Sequence, residues 1–129
     1  MVFGTFDLLH PGHRFLLEEA LAQGRVTAVV ARSSNVKRIK GRAPDQTDSE
    51  RVAAIQNAYP DITVVLGSDN DFLEPVRNLK PDLLLFGYDQ RLPPGVAETD
   101  LPCPVERAEA FRPDEFKSSL MRKANPKGG

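Results

Sequence analysis

Both histidines of the 129-residue chain, His10 and His13, fall in one stretch, Gly4-Thr5-Phe6-Asp7-Leu8-Leu9-His10-Pro11-Gly12-His13. Three residues apart on the first turn of a helix, the two imidazoles face the same way. A helix N-terminus presents unpaired N–H groups and the positive end of the helix dipole, so such a turn is suited to hold phosphate. Pro11 fits the first helical position, where its missing N–H costs nothing, and Gly12 lets a nucleotide approach the backbone. The rival chemistry for a His-x-x-His pair is zinc binding, which needs at least one further ligand. The chain has no other histidine and one cysteine, Cys103, so no protein metal ligand is assigned.

The elements that must position this turn follow from hydrophobic periodicity. Residues 1–3 read as the end of a buried strand. From residue 12 to 23, Leu16, Leu17, Ala20 and Leu21 form an apolar helical face closed by Gly24. Residues 26–31 and 62–66, and the run Leu83-Leu84-Leu85-Phe86, read as buried strands. Thr47-Asp48-Ser49-Glu50 is a capping box opening a helix through Val52, Ile55 and Ala58, which Pro60 stops. Phe72, Leu73, Val76 and Leu79 mark a further helix ending before Pro81.

Residues 32–46, with Lys37, Arg38, Lys40 and Arg42, read as a polar basic loop, and the proline-rich stretch 91–104 as an irregular connection. A fifth strand is placed at residues 105–111, and a short helix capped by Ser118 or Ser119 before the tail. Strands alternating with helices predict an α/β fold: a single Rossmann-like, doubly wound domain over residues 1–124 with a mainly parallel five-stranded sheet. Residues 125–129 are read as a disordered tail. The first strand is short enough to suggest that a residue or two precedes Met1.

Composition bounds the partners. The net charge of −1 and the lack of a long basic run argue against nucleic acid, which is held through clustered positive charge. No apolar run approaches the roughly 20 residues that cross a bilayer, and a cytoplasmic location without membrane partners is expected. In an open parallel sheet the ligand crevice lies beyond the carboxyl ends of the strands. Three polar segments fall there: the histidine turn, the basic loop, and Gly87-Tyr88-Asp89-Gln90. Together they suit a polyphosphate, with Asp89 placed for a ribose hydroxyl or a base amine.

His10-Pro11-Gly12-His13, preceded by Gly4-Thr5-Phe6-Asp7, resembles the HxGH signature of the cytidylyltransferase-like nucleotidyltransferases. Val36-Lys37-Arg38-Ile39-Lys40-Gly41-Arg42, the Glu50-Arg51 pair, Val65-Leu66-Gly67-Ser68 and Gly87-Tyr88-Asp89-Gln90 are similar to segments of archaeal FAD synthetases. Arg112-Pro113-Asp114-Glu115-Phe116-Lys117-Ser118-Ser119 is similar in position to the Arg-Thr-Glu-Gly-Ile-Ser-Thr segment of glycerol-3-phosphate cytidylyltransferases, with Glu115 where the glycine stands and Lys117 where a serine stands.

The resemblance implies transfer of AMP or CMP from ATP or CTP to a phosphate-bearing acceptor such as FMN, with pyrophosphate released. FMN adenylylation is the leading reaction, cytidylylation of glycerol phosphate its rival, and a non-catalytic nucleotide or flavin sensor the alternative of another class. It further implies His10 and His13 as phosphate donors, joined by Lys37 and Arg51 in catalysis. Thr5, Phe6, Pro11, Gly12, Gly87, Asp89, Ser118 and Ser119 would contact the nucleotide, and Asp7, Lys40 and Arg112 the acceptor. Mg²⁺ would ride mainly on the nucleotide phosphates, and a homodimer is compatible with the chain.

Overall fold

The computed structural model describes residues 1–88, 90–93 and 95–109. Strands β1 (Val2–Gly4), β2 (Thr27–Val30), β3 (Thr63–Leu66), β4 (Leu84–Phe86) and β5 (Val105–Arg107) form one parallel sheet in the order β3-β2-β1-β4-β5. Helices α1 (Pro11–Leu21), α2 (Ser33–Lys40), α3 (Asp48–Ala58) and α4 (Glu74–Leu79) connect them. Short 3₁₀ turns lie at Asp7–Leu9 and Glu98–Asp100. The expected α/β, doubly wound, five-stranded sheet is therefore present, and every strand pair is parallel.

Alternation along each strand sorts side chains onto two faces. Val2, Ala28, Val30 and Leu85 pack with Leu16, Leu17 and Ala20 of α1 and Ile55 of α3. Phe3, Val29, Leu84 and Phe86 pack with Val76 of α4 on the other face, where Phe3 and Phe72 stack with centroids 4.5 Å apart. Burial on both faces explains why these strands read as unbroken apolar runs. The capping box at the start of α3 is present, with Thr47 and Glu50 bonding reciprocally to each other's backbone N–H.

One expectation is corrected: residues 33–40 are helix, not loop. Val36, one turn before Ile39, turns inward, and Gly41 supplies the left-handed C-terminal residue (φ 87°). The high charge of Lys37, Arg38 and Lys40 masks this short amphipathic pattern; basic residues in a last turn favour a helix through its dipole. The described residues between 91 and 104 are irregular apart from the 3₁₀ turn at Glu98–Asp100. Among the described residues no helix is long and apolar enough to cross a membrane.

Candidate active site

In this strand order the chain runs outward from β1 through β2 to β3, then returns to the other side of β1 as β4 and β5. The crevice of such a sheet opens where that reversal occurs, beyond the carboxyl ends of β1 and β4. The histidine turn stands there. Gly4 ends β1 with the Phe6 ring so close above it that an added Cβ would lie 3.0 Å from the ring. Phe6 is buried at left-handed φ 53°, and Leu8 and Leu9 are also left-handed, at 60° and 30°. Each such non-glycine residue costs on the order of 1–3 kcal/mol, so the surrounding contacts must hold the turn. Gly4→Ala is accordingly expected to lose about 1–3 kcal/mol in chemical denaturation, because the Phe6 ring has to move.

The two imidazoles cap their own helix. The His10 ring accepts from the N–H of Gly12 (3.1 Å) and of His13 (3.4 Å) through Nδ1, while His13 Nδ1 accepts from the His10 N–H (3.2 Å). This is a capping box built from histidines. A neutral imidazole has one acceptor nitrogen and one donor, so occupation of both Nδ1 atoms as acceptors assigns the protons to Nε2. The rings stack with centroids 3.6 Å apart, and Phe6 meets His13 edge-on at 5.4 Å. Orientation and tautomer are thus fixed before any ligand arrives.

Burial first, then the neighbouring His10 ring and the Lys40 ammonium, push the His13 imidazole down to about 4, with Asp7 opposing them. The ring is therefore neutral at pH 7. Linkage gives the sign: between about 4 and the ordinary 6.5 the unfolded chain binds a proton that the folded chain does not. The stability this ring contributes is complete above that window and declines as pH falls through it. Wild-type Tm should drop between pH 7 and pH 4 by more than that of His13→Asn, and parallel curves would remove His13 as a cause.

Arg51 underlies the turn. The guanidinium is fully buried and all five of its N–H groups are engaged. Nη1 donates to the carbonyls of Thr5 (2.9 Å) and Ala31 (2.7 Å), Nε to that of Gln46 (3.3 Å), and Nη2 to Ser33 Oγ and Asp48 Oδ1. One side chain so ties the loops after β1 and β2 to the starts of α2 and α3.

Two cavities meet over the strand ends. One, of about 500 Å³, is bounded by His10, Gly12, His13, Phe6, Gly87 and Tyr88. The other, of about 610 Å³, is walled largely by apolar groups: Phe72, Ile39, Leu92 and Val96, with Ser68 and Asn70 at its polar side. Phe3, Gly4, Thr5, Lys40 and Gln90 line both. Lys40, the last residue of α2, brings its ammonium to 3.5 Å from Thr5 Oγ1 at this boundary.

This fold is shared with known proteins. The sequence profile of the family described as Cytidylyltransferase-like matches residues 1–124. The chain belongs to the cytidylyltransferase-like family. FAD synthase of Methanothermobacter thermautotrophicus is 37% identical over 128 residues, covering 92% of this chain and 84% of its own. FAD synthase of Natronomonas pharaonis is 39% identical, covering 87% of this chain and 83% of its own. The crystal structure of the lipopolysaccharide core biosynthesis protein from Thermoplasma volcanium superposes with a TM-score of 0.75 at 27% identity, over 87% of this chain and 96% of that one.

In this cytidylyltransferase-like chain the fold brings together Thr5, Phe6, His10, Gly12, His13, Lys40 and Gly87 from the residues singled out in the sequence. Pro11 occupies the first position of α1 beside them. Others lie apart. Lys37 is exposed on α2 and lines neither cavity. Arg51 is enclosed beneath the turn, with no N–H left for a phosphate.

Asp7 also lines neither cavity. Its carboxylate accepts the N–H groups of Asp45 (2.8 Å) and Gln46 (3.0 Å). Burial raises its pKa, but those two N–H groups, with Arg51 and His13, outweigh it and hold the carboxyl below the usual range. Asp89, Arg112, Ser118 and Ser119 lie outside the described residues. The sequence placed Gln90 in the polar segment after β4 without a role of its own and did not single out Arg107; both are bonded around Gly87. Gln90 carried a signal as a polar residue just past a strand's carboxyl end, within a segment of the family resemblance, but nothing in that signal pointed to a bond with β1.

Proposed function

We propose that the protein transfers the adenylyl group of ATP to FMN, forming FAD and releasing pyrophosphate. It is a nucleotidyltransferase. The observation that carries the choice of reaction is the pairing of a histidine-lined lobe with a larger apolar lobe across Lys40, in a chain 37% identical to FAD synthase of M. thermautotrophicus. A flat tricyclic ring needs apolar walls with a few polar groups at the edge, and Phe72, Ile39, Leu92 and Val96 with Ser68 and Asn70 supply both. A small phosphoalcohol would leave most of that surface uncovered.

The FMN phosphate is ionised at neutral pH and is already a nucleophile, so no general base is required. Its oxygen attacks the α-phosphorus of ATP, the bond from that phosphorus to the β-bridging oxygen breaks, and pyrophosphate leaves with the electron pair. Catalysis rests on alignment and on stabilising charge at the transferring group. The Nε2–H groups of His10 and His13 donate to the phosphates, with His13 on the α-phosphoryl transition state. Backbone N–H groups of Thr5 and Phe6 cradle the triphosphate, and the Lys40 ammonium, between the lobes, screens the charge of both substrates. Gly87 lets the nucleotide lie close to the end of β4. Arg51 acts indirectly, by holding the Thr5 carbonyl and the turn above it.

Among the described residues no three histidine, cysteine, aspartate or glutamate side chains converge to hold a metal. Mg²⁺ carried mainly by the nucleotide would neutralise polyphosphate charge beside the His10, His13 and Lys40 side chains. The test is pyrophosphate release with Mg²⁺, ATP and FMN, against CTP and glycerol phosphate. FAD formation with ATP preferred is expected. Preference for CTP would overturn FMN adenylylation in favour of cytidylyl transfer, and binding without turnover would point to a sensor.

A further inference from the structure

A side chain is inserted between the ends of β1 and β4. In the β1–β4 ladder Val2 pairs with Leu85, and the Leu85 N–H donates to the Met1 carbonyl at 3.0 Å. A parallel ladder repeats this bond every second residue. The next rung would run from the Gly87 N–H to the Phe3 carbonyl.

It is replaced by the Gln90 carboxamide: Oε1 accepts from the Gly87 N–H at 2.8 Å, and Nε2 donates to the Phe3 carbonyl at 2.8 Å. The neighbouring ladders are not interrupted at this level. The Ala31 N–H reaches the Gly4 carbonyl at 2.9 Å on the β2 side, and the Ala108 N–H reaches the Phe86 carbonyl at 2.8 Å on the β5 side. The separation is therefore local to β1 and β4. Arg107 of β5 holds the inserting loop in place, with Nη1 donating to the carbonyls of Gln90 (2.5 Å) and Gly87 (3.3 Å).

We propose that Gln90 is a positioning residue whose carboxamide spaces the ends of β1 and β4, and that this spacing sets the width of the passage between the two lobes. The amide satisfies both backbone groups it separates, so the opening leaves no buried polar atom without a partner. Phe3 and Gln90 line both cavities, so approach of the strands would narrow the boundary that the acceptor phosphate must cross to meet the nucleotide. The kinetic consequence rests on FMN adenylylation as the reaction; the spacing itself does not.

In a crystal structure of Gln90→Ala, Gly87 N and Phe3 O should come to the ordinary hydrogen-bond distance of about 2.9 Å. The KM for FMN should rise about tenfold, with the KM for ATP within about twofold, a split that a merely destabilising change would not give because it lowers the active fraction and leaves both KM values alone. Gln90→Asn, one methylene shorter and able to reach one partner only, serves the same comparison if the alanine variant is poorly folded. A gap that persists in a folded variant overturns the spacer. So does rung closure with wild-type KM for FMN. A wild-type protein that makes no FAD defeats the proposed reaction alone, and closure of the rung then decides whether Gln90 is the spacer.

Discussion

Replacing His13 with alanine is expected to lower kcat by about two orders of magnitude or more while the protein stays folded, the scale of losing one donor aimed at developing transition-state charge. The expectation rests on the ring's neutrality and fixed tautomer. With Nδ1 accepting the His10 N–H and burial holding the pKa down to about 4, His13 meets the phosphate as an N–H donor that needs no protonation at pH 7. Activity should therefore not rise as pH is lowered from 8 to 6 on account of this residue.

Alanine also removes the cap on the His10 N–H, at a cost of roughly 0.5–2 kcal/mol, so thermal denaturation must accompany the kinetics. His13→Glu separates the two roles. Glutamate at this third helical position is a favoured capping partner, yet its charge repels phosphate. That variant should be stable and inactive. Wild-type turnover in either folded variant would remove His13 from the transition state.

The largest effect on stability is expected at Arg51. Arg51→Met removes the donor from the carbonyls of Thr5, Ala31 and Gln46 and from Ser33 Oγ, and leaves the Asp48 carboxylate only its bonds from the Ser33 N–H and Oγ–H. Each acceptor left unpaired in the interior costs about 1–3 kcal/mol, so losing the donor to the three carbonyls is expected to cost about 3–5 kcal/mol in all, with little added by Asp48, which is 30% exposed. Against a total stability on the order of 5–15 kcal/mol, this is a large share. Arg51→Lys should recover little, since an ammonium offers three donors from one point where five are used in a planar fork. Urea unfolding of the two variants measures both effects. A loss below about 1 kcal/mol in Arg51→Met would show that the loops it joins are held by other contacts.

Because Arg51 bonds the Thr5 carbonyl at 2.9 Å, its loss also frees the backbone proposed to cradle the triphosphate. Activity in any Arg51 variant that still folds should fall with the order of that loop. The structure thus moves Arg51 from the pocket to the scaffold beneath it. Nothing in the sequence separates these positions: an arginine at the fourth residue of an amphipathic helix reads equally well as facing ligand or protein. Its burial follows from the carbonyls that Thr5 and Ala31 present, 46 and 20 residues away.

What the chain states locally is read correctly from its residues alone. Runs such as Leu84-Leu85-Phe86, bounded by turn residues, read as strands covered on both faces, and this one is. Pro11 fits the first position of a helix, and the Thr47 to Glu50 box begins another. These follow from dihedral preference, capping and periodicity, which act within a few residues. The HxGH signature is legible for the same reason, as a turn whose geometry is set by its own side chains.

Only the tertiary structure decided the rest. Residues 33–40 become a helix because Val36 finds a buried position and the loop after β3 bonds the helix through Asn35 and Arg38. The parting of β1 from β4 depends on an amide 87 residues from the carbonyl it meets. Hydrogen-bond donors act over about 3 Å, and no local pattern reports which distant acceptor the fold will bring within that reach. The sequence by itself determined a parallel α/β sheet and a histidine-capped helix start; packing alone determined which charged and amide groups line the crevice and which hold it in shape.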